Sequence, residues 1–415
     1  MQKKECVKIK QCRLCNSKNL NSVLDFGKTP LANSYKKNKN FKNKKYPLKV
    51  NLCSSCGHLQ LGHSISPKKM FVNYLYQTNT SKKNYIHFKK YAAKASKLFI
   101  KKQRFKVLDI ASNDGTFLKF FDKKNFRLGV DPAKNLKKIA KKKGINQIDK
   151  FFTYRNSLEF KKKYGSFDLI TANHVCAHVE NLQDFFKGVK NLLKENGYFI
   201  FEVSYRGEVL KRNTFDIIYH EHLDYHALKP IKDFAKKFDL KIFDFEITEA
   251  QGGSLRVYLS KNKTKNVKKI SNFINNEKKI LKLFNKQTFL KFEKNIIAAK
   301  NKLHLIINNA KKQKLKIGGY GAAAKTTTLL NFFKIEDNQI NFIIDDNKLK
   351  EGLYMPGRNI KIVNYSELDK NKVDILIIFA WNYSEYIIKK IKNKNNLTKF
   401  KGVFLIPFPN PKIIK

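Results

Sequence analysis

Short apolar runs alternate with amphipathic stretches along most of the chain. KVLDI (106–110) reads as a strand buried on both faces, followed by the turn-rich ASNDG and the helix-forming TFLKFF. RLGVD (127–131), FDLITAN (167–173) and YFIFEVS (198–204) read as the second, fourth and fifth strands of the same unit. Between the last two, LQDFFKGVKNLLK (182–194) is apolar at 182, 185, 186, 189, 192 and 193, one face of a helix. Strands that alternate with helices predict a parallel, doubly wound sheet with right-handed crossovers. KIFDFEITE (241–249) and SLRVYLS (254–260), joined across AQGG, predict a closing hairpin.

The alternation recurs further along. Residues 265–310 predict two helices, KIGGYG (316–321) a strand ending in a glycine-rich turn, and AAAKTTTLLNFF a helix after it. INFIID (340–345), DILIIFA (374–380) and VFLIP (403–407) are further strands. The first 68 residues differ, with little periodicity and four cysteines in two pairs. The expected division is 1–68, 69–262 and 263–415. Its fold class is α/β: a Rossmann-like sheet between a small N-terminal domain and a second, smaller Rossmann-like domain. No internal repeat is visible.

Charge changes the picture less than its size suggests. The 415 residues carry 86 Lys+Arg against 33 Asp+Glu, but only eight of the basic residues are Arg. Nucleic-acid recognition favours clustered Arg, which forks onto phosphates and guanine edges. Lys spread evenly beside abundant Asn, Ile and Phe instead reflects A/T-rich codons, so no nucleic-acid partner is expected. A zinc-containing nucleic-acid-binding protein is the rival reading from a different class. No apolar run approaches the ~18 residues of a membrane span, and MQKKECVKIKQC lacks an apolar leader. A cytoplasmic protein without membrane contact, monomeric or a small homo-oligomer, is the expectation.

Cys12-Arg13-Leu14-Cys15 and Cys53-Ser54-Ser55-Cys56 are two CxxC turns. Each puts two thiolates on one side of a metal, and two turns complete a tetrahedral Zn²⁺ shell with no open position, hence a structural site. Cys6 and Cys176 are left as ordinary thiols.

ASNDG has one glycine and is no G-x-G-x-x-G, which disfavours a pyrophosphate and favours S-adenosylmethionine. Asp131, ending the second strand, is placed to accept hydrogen bonds from ribose hydroxyls. Asn173-His174-Val175-Cys176-Ala177-His178 ends the fourth strand, and Tyr219-His220-Glu221-His222 follows the fifth with Tyr225 and His226. Five of the nine histidines lie in these two segments. Consecutive His220, Glu221 and His222 lack the i, i+4 spacing of a helical zinc motif, so acid–base chemistry is the expectation. Gly318-Gly319-Tyr320-Gly321-Ala322-Ala323-Ala324-Lys325 resembles a phosphate-binding helix entry without being a Walker A.

CRLC with LDFGKTPLANSY, CSSCGHLQL, YLYQTNTS, SNDGTFL, GVDPA, ANHVCAHV, YHEHLDYHAL, QGGSLRVYL, GYGAAAKTTTLLNF and IDDNKLKEGLYMPG occur in one order over nearly the whole chain. In that order they resemble the S-adenosylmethionine-dependent C-methyltransferases that act on nucleotide-linked ketodeoxysugars. The resemblance implies an N-terminal zinc domain, a central methyltransferase domain and a C-terminal Rossmann-like domain. It implies His222 as base, with Glu221 orienting it or replacing it. Tyr219 and His178 would donate to an enolate oxygen, and Tyr76 (or Tyr74) would line the sugar site. S-adenosylmethionine would meet Asn113, Asp114, Gly115, Asp131 and Asn173. Gly321, Ala322 and Lys325 would take the diphosphate of the sugar nucleotide, dTDP in most of the family. Gly252, Gly253 and Arg256 would shape the wall between sugar and cofactor. An O- or N-methyltransferase of the same architecture is the alternative within enzymes.

Overall fold

The computed structural model describes residues 5–71, 82–393 and 400–415. The chain condenses into two compact units. One comprises Met1–Asn21, Asn51–Val209 and Leu223–Asn285; the other comprises Ser22–Val50, Leu210–His222 and Lys286–Lys415.

The first unit is built on seven strands: Lys106–Ile110 (β1), Phe126–Val130 (β2), Asn146–Ile148 (β3), Phe167–Asn173 (β4), Leu193–Ser204 (β5), Lys241–Thr248 (β6) and Ser254–Ser260 (β7). Their order is β6-β7-β5-β4-β1-β2-β3. β1 to β5 pair in parallel, and β7 runs antiparallel to both β5 and β6. The chain reverses direction across the sheet between β1 and β4, which opens a crevice at their carboxyl ends. Apolar β1 and β4 are buried because helices cover both faces of a parallel sheet. Under one face lie Tyr91, Phe99, Phe105, Phe117 and Phe121. Each such side chain contributes about 1.5–3 kcal/mol by leaving water. The predicted helix runs Leu182–Leu192, and the Asn181 side chain accepts from the Asp184 N–H at its start. Phe186 on it meets Phe199, Phe201, Phe234 and Phe238.

The second unit carries Ile317–Tyr320 (β8), Phe342–Ile344 (β9), Lys361–Val363 (β10), Ile375–Ile378 (β11), Val403–Ile406 (β12) and Lys412–Ile414 (β13). Their order is β10-β9-β8-β11-β12-β13, parallel except for β13. The switch point here lies between β8 and β11. Gly321 leaves β8 with φ +98°, and a Cβ there would stand 2.8 Å from that of Ala380, which follows β11. The two helices predicted for 265–310 are Val267–Lys279 and Lys286–Lys312. The second buries Phe289, Phe292, Ile296, Ala299, Leu303 and Ile307, a stripe of threes and fours. Among the described residues no helix is long and apolar enough to cross a membrane.

Candidate active site and zinc centre

In the first unit both CxxC turns close the same way. The N–H of Asn16 donates to the Cys12 carbonyl and that of Gly57 to the Cys53 carbonyl, each at 2.9 Å. Asn16 and Gly57 are both left-handed, at φ 64° and 77°. Each turn therefore presents its two thiols on one side. Cys12 and Cys56 sulfurs lie 3.5 Å apart, those of Cys15 and Cys53 3.6 Å apart, and all four lie within 4.8 Å of one another. Tetrahedral Zn–S bonds of ~2.3 Å place sulfurs ~3.8 Å apart. The four sulfurs fit Zn²⁺ and leave it no free position. His58 is outside this group of four ligand atoms, and its Nε2 bonds to Asp224 at 2.8 Å. No other metal-type cluster occurs among the described residues.

The crevice past β1 is lined by the ASNDG loop. Ala111, Asn113 and Gly115 are all left-handed, at φ 58°, 51° and 74°. Asp131 holds this loop: its Oδ2 accepts from the Asn113 N–H and its Oδ1 from the Ala133 N–H, both at 2.9 Å. Asp114 is fully buried, ion-paired with Lys143 at 2.9 Å, and accepts from the Thr116 N–H. The Asn173 amide donates to Asp109, leaving its Oδ1 buried without a hydrogen-bond partner among the described residues, as is the Ser112 hydroxyl. Such orphaned polar atoms beside a strand switch point fit a ligand rich in hydroxyl and amino groups.

After β4 the chain turns through left-handed His174 (φ 52°), whose N–H donates to the Glu202 carbonyl and whose Nε2 lies 3.1 Å from Glu202 Oε1. Buried Glu202 also meets His87 at 2.8 Å and Arg256 at 2.6 Å. Burial opposes its charge, but the two histidines and Arg256 prevail and hold the carboxyl well below its ordinary range. Arg256 also pairs with Glu246 at 2.7 Å and stacks 3.6 Å above Tyr91. Its guanidinium is thus committed to two carboxylates and a ring. Gly252 and Gly253 turn the chain from β6 into β7, and a Cβ on Gly253 would stand 2.5 Å from that of Glu208. His178 is half-buried and meets Phe71 edge-on. Burial raises the Cys176 thiol far above its ordinary value, so it stays a neutral core group. Tyr74 and Tyr76 lie outside the described residues.

In the second unit, His222 Nδ1 lies 2.6 Å from the Ile217 carbonyl, which can only accept, so Nδ1 carries the proton. Nε2 lies 3.0 Å from the Tyr219 hydroxyl, which donates to it whenever the ring is neutral. Glu221 is buried and accepts from the Asn33 amide at 2.7 Å. His220 is buried, with Nε2 3.3 Å from the Tyr46 carbonyl. The segment rests on the helix Ala324–Phe332, where the Thr328 hydroxyl donates to the Ile218 carbonyl. Tyr35 donates to the Ala322 carbonyl at 2.7 Å. Burial, Asp345 and Glu221 together raise its phenol well above the ordinary value, so it remains a donor. The Lys325 ammonium is buried without a hydrogen-bond partner among the described residues, 5.8 Å from the Trp381 ring. Trp381 donates to Asp216 at 2.7 Å. The unit thus brings Tyr219, Glu221 and His222 together with the Gly321–Lys325 turn.

Three family models match in sequence: "Putative zinc binding domain" over residues 12–71, "Methyltransferase domain" over 83–244 and "C-methyltransferase C-terminal domain" over 249–409. C-methyltransferase NovU of Streptomyces niveus is 27% identical over 410 residues, covering 98% of this chain and 97% of that protein. Side by side along the chain, these matches mark it as an S-adenosylmethionine-dependent C-methyltransferase. A solved S-adenosylmethionine-dependent methyltransferase from Clostridium acetobutylicum covers 44% of this C-methyltransferase and 92% of its own chain, at 16% identity and TM-score 0.32. The N-methyltransferase NodS from Bradyrhizobium japonicum covers 43% and 97%, at 13% identity and TM-score 0.33.

Among the residues of the C-methyltransferase that fit S-adenosylmethionine are Asn173, through its unpartnered oxygen, and Asn113 and Asp131 around the loop. When bound, the cofactor supplies an electrophilic methyl group on a sulfonium. Asp109 sits beneath, accepting from the Thr171 hydroxyl at 2.6 Å. Burial pushes its carboxyl up to about 7; Thr171 opposes that rise, Asp131 adds to it and Asn173 opposes it. The folded value lies above the unfolded one, so Asp109 stabilises the fold below the ordinary carboxylate range, and that contribution is lost as pH rises through about 7. Asp109→Asn keeps an oxygen for Thr171. It is expected to stabilise the protein at pH 8 by at most ~4 kcal/mol, the gain shrinking towards pH 4. Urea midpoints at both pH values check this; an equal effect at the two would contradict it.

Proposed function

We propose that the enzyme methylates the carbon next to the keto group of a nucleotide-linked ketodeoxysugar, with dTDP as the carrier. The observation that supports this reading most is the Tyr219–His222 pair, an imidazole whose Nδ1 is held by a backbone carbonyl and whose Nε2 faces a phenol, in the same unit as a Lys325 ammonium that lacks a hydrogen-bond partner among the described residues, at a Rossmann turn. A sugar carbon becomes nucleophilic only when its α-proton is removed. His222 Nε2 takes that proton, and Glu221 holds the segment or serves as alternative base. Once the Tyr219 hydroxyl turns from Nε2 to the substrate, it stabilises the enolate oxygen, with His178 as second donor. S-adenosylmethionine, when bound, would supply the methyl group for that carbon and leave as the neutral thioether. Lys325 and the Gly321–Ala322 turn neutralise the diphosphate. In domain terms the reading assigns 1–68 to zinc, 69–262 to methyl donation and 263–415 to the sugar nucleotide.

A panel of nucleotide-ketosugars with S-adenosylmethionine, read by mass spectrometry for one added methyl, tests the reading. Without S-adenosylmethionine, the accepted sugar should exchange its α-proton with D₂O. Methylation without exchange would point to an oxygen or nitrogen acceptor instead. Lys325→Met should raise KM for the accepted sugar about 10- to 100-fold, the loss of a charge-assisted hydrogen bond of ~1.5–3 kcal/mol. An unchanged KM would remove Lys325 from the diphosphate site.

A further inference from the structure

Asp224 lies two positions after His222 and is only 2% exposed. Its Oδ1 accepts from Arg13 Nε at 2.9 Å and from His58 Nε2 at 2.8 Å. Arg13 stands between the zinc ligands Cys12 and Cys15, and His58 stands two residues after Cys56. The Arg13 guanidinium also donates to the Val179 carbonyl, at the end of the loop that carries His178. The backbone closes the same circuit. The Leu61 N–H donates to the Leu223 carbonyl and the Leu223 N–H to the Ala177 carbonyl. Asp224 pairs with Gln60 in an antiparallel bridge, and Gln60 Oε1 accepts from the Arg13 N–H at 2.8 Å.

We propose that Asp224 is a positioning residue: through it the zinc turns hold the 174–179 loop and the chain immediately after His222. The positioned groups are those of the reaction proposed above, and the catalytic half of the inference rests on that reading. A structural metal alone would need only a self-contained turn. Here, instead, Arg13 inside one CxxC turn and His58 just past the other reach a single carboxylate in a site closed to water, where each charge depends on its partners. Metal binding fixes Arg13 and His58. They fix Asp224, which sets where residues 177 and 223 meet.

The full-length, zinc-loaded protein provides the test, with Asp224→Asn, Arg13→Lys and wild type stripped by a chelator. Three readouts apply: zinc content, amide hydrogen exchange without substrate, and kcat against KM. Asp224→Asn should keep its zinc and bind S-adenosylmethionine as wild type does. It should speed exchange in peptides covering 174–180 and 222–227 by ~10-fold or more. It should also lower kcat about 10- to 100-fold at little change in KM. Arg13→Lys, which keeps the charge but not the fork, should fall between. Stripped wild type should open the same peptides while those covering 316–335 stay protected. Unchanged exchange in 174–180, in Asp224→Asn or in stripped wild type, overturns the proposal, as does a loss confined to KM. Should Asp224→Asn not fold, Arg13→Lys and the stripped protein decide. Wild type inactive on every ketosugar would defeat the assigned reaction and leave the exchange result standing.

Discussion

His222→Asn should fold, bind S-adenosylmethionine normally and lose about 10²- to 10⁴-fold in kcat, the usual contribution of a positioned base. Asn keeps a side-chain amide that can donate to the Ile217 carbonyl, so the local hydrogen bond survives while the basic nitrogen disappears. Glu221→Gln is the companion. Its amide oxygen can still accept from Asn33, so a loss there measures the charge and not the contact. If His222 is the base, solvent deuterium exchange into the sugar falls with kcat in His222→Asn. If Glu221 is the base, exchange collapses in Glu221→Gln and survives in His222→Asn. Methylation and calorimetric S-adenosylmethionine titration separate these outcomes, and full activity in both variants would remove the segment from the chemistry.

Cys53→Ser should release the zinc and lower the melting temperature by about 10 °C, as expected when several kcal/mol of metal-linked folding energy is lost. Cys53 is fully buried, and its N–H donates to the His58 carbonyl at 2.8 Å. A serine hydroxyl there is a poor zinc ligand, and it leaves three thiols crowded in a site that only a cation makes favourable. Metal analysis gives the zinc content and calorimetry the melting point. Unchanged zinc would refute the four-cysteine site.

The elements with the strongest local pattern were legible in the sequence. KVLDI, FDLITAN and SLRVYLS form strands over the residues read as strands. The two cysteine pairs were legible because their spacing is itself the geometry of a metal turn. YFIFEVS was read short, since β5 begins at Leu193, where the predicted helix was still running. What the sequence concealed depends on distant partners. His87, His174 and Arg256 form one network around the buried Glu202, yet nothing in their spacing links positions so far apart. Neither Arg13 nor Asp224 stood out in the sequence. Both acquire meaning only when the fold brings them within 2.9 Å. Gly253 was read as a wall of the substrate site; the close approach of Glu208 gives it a packing reason as well.

The chain visits its second unit three times, through Ser22–Val50, Leu210–His222 and Lys286–Lys415. A ribosome therefore releases the opening stretch of that body long before the rest exists, and early arrivals must wait for the last third to be made. Such long-range closure slows assembly and leaves apolar surface uncovered meanwhile. A fragment beginning at residue 286 would lack the pieces around Phe26 and Phe215, whose rings pack on Phe332. Expressed alone, it should aggregate unless those two upstream stretches are supplied in trans.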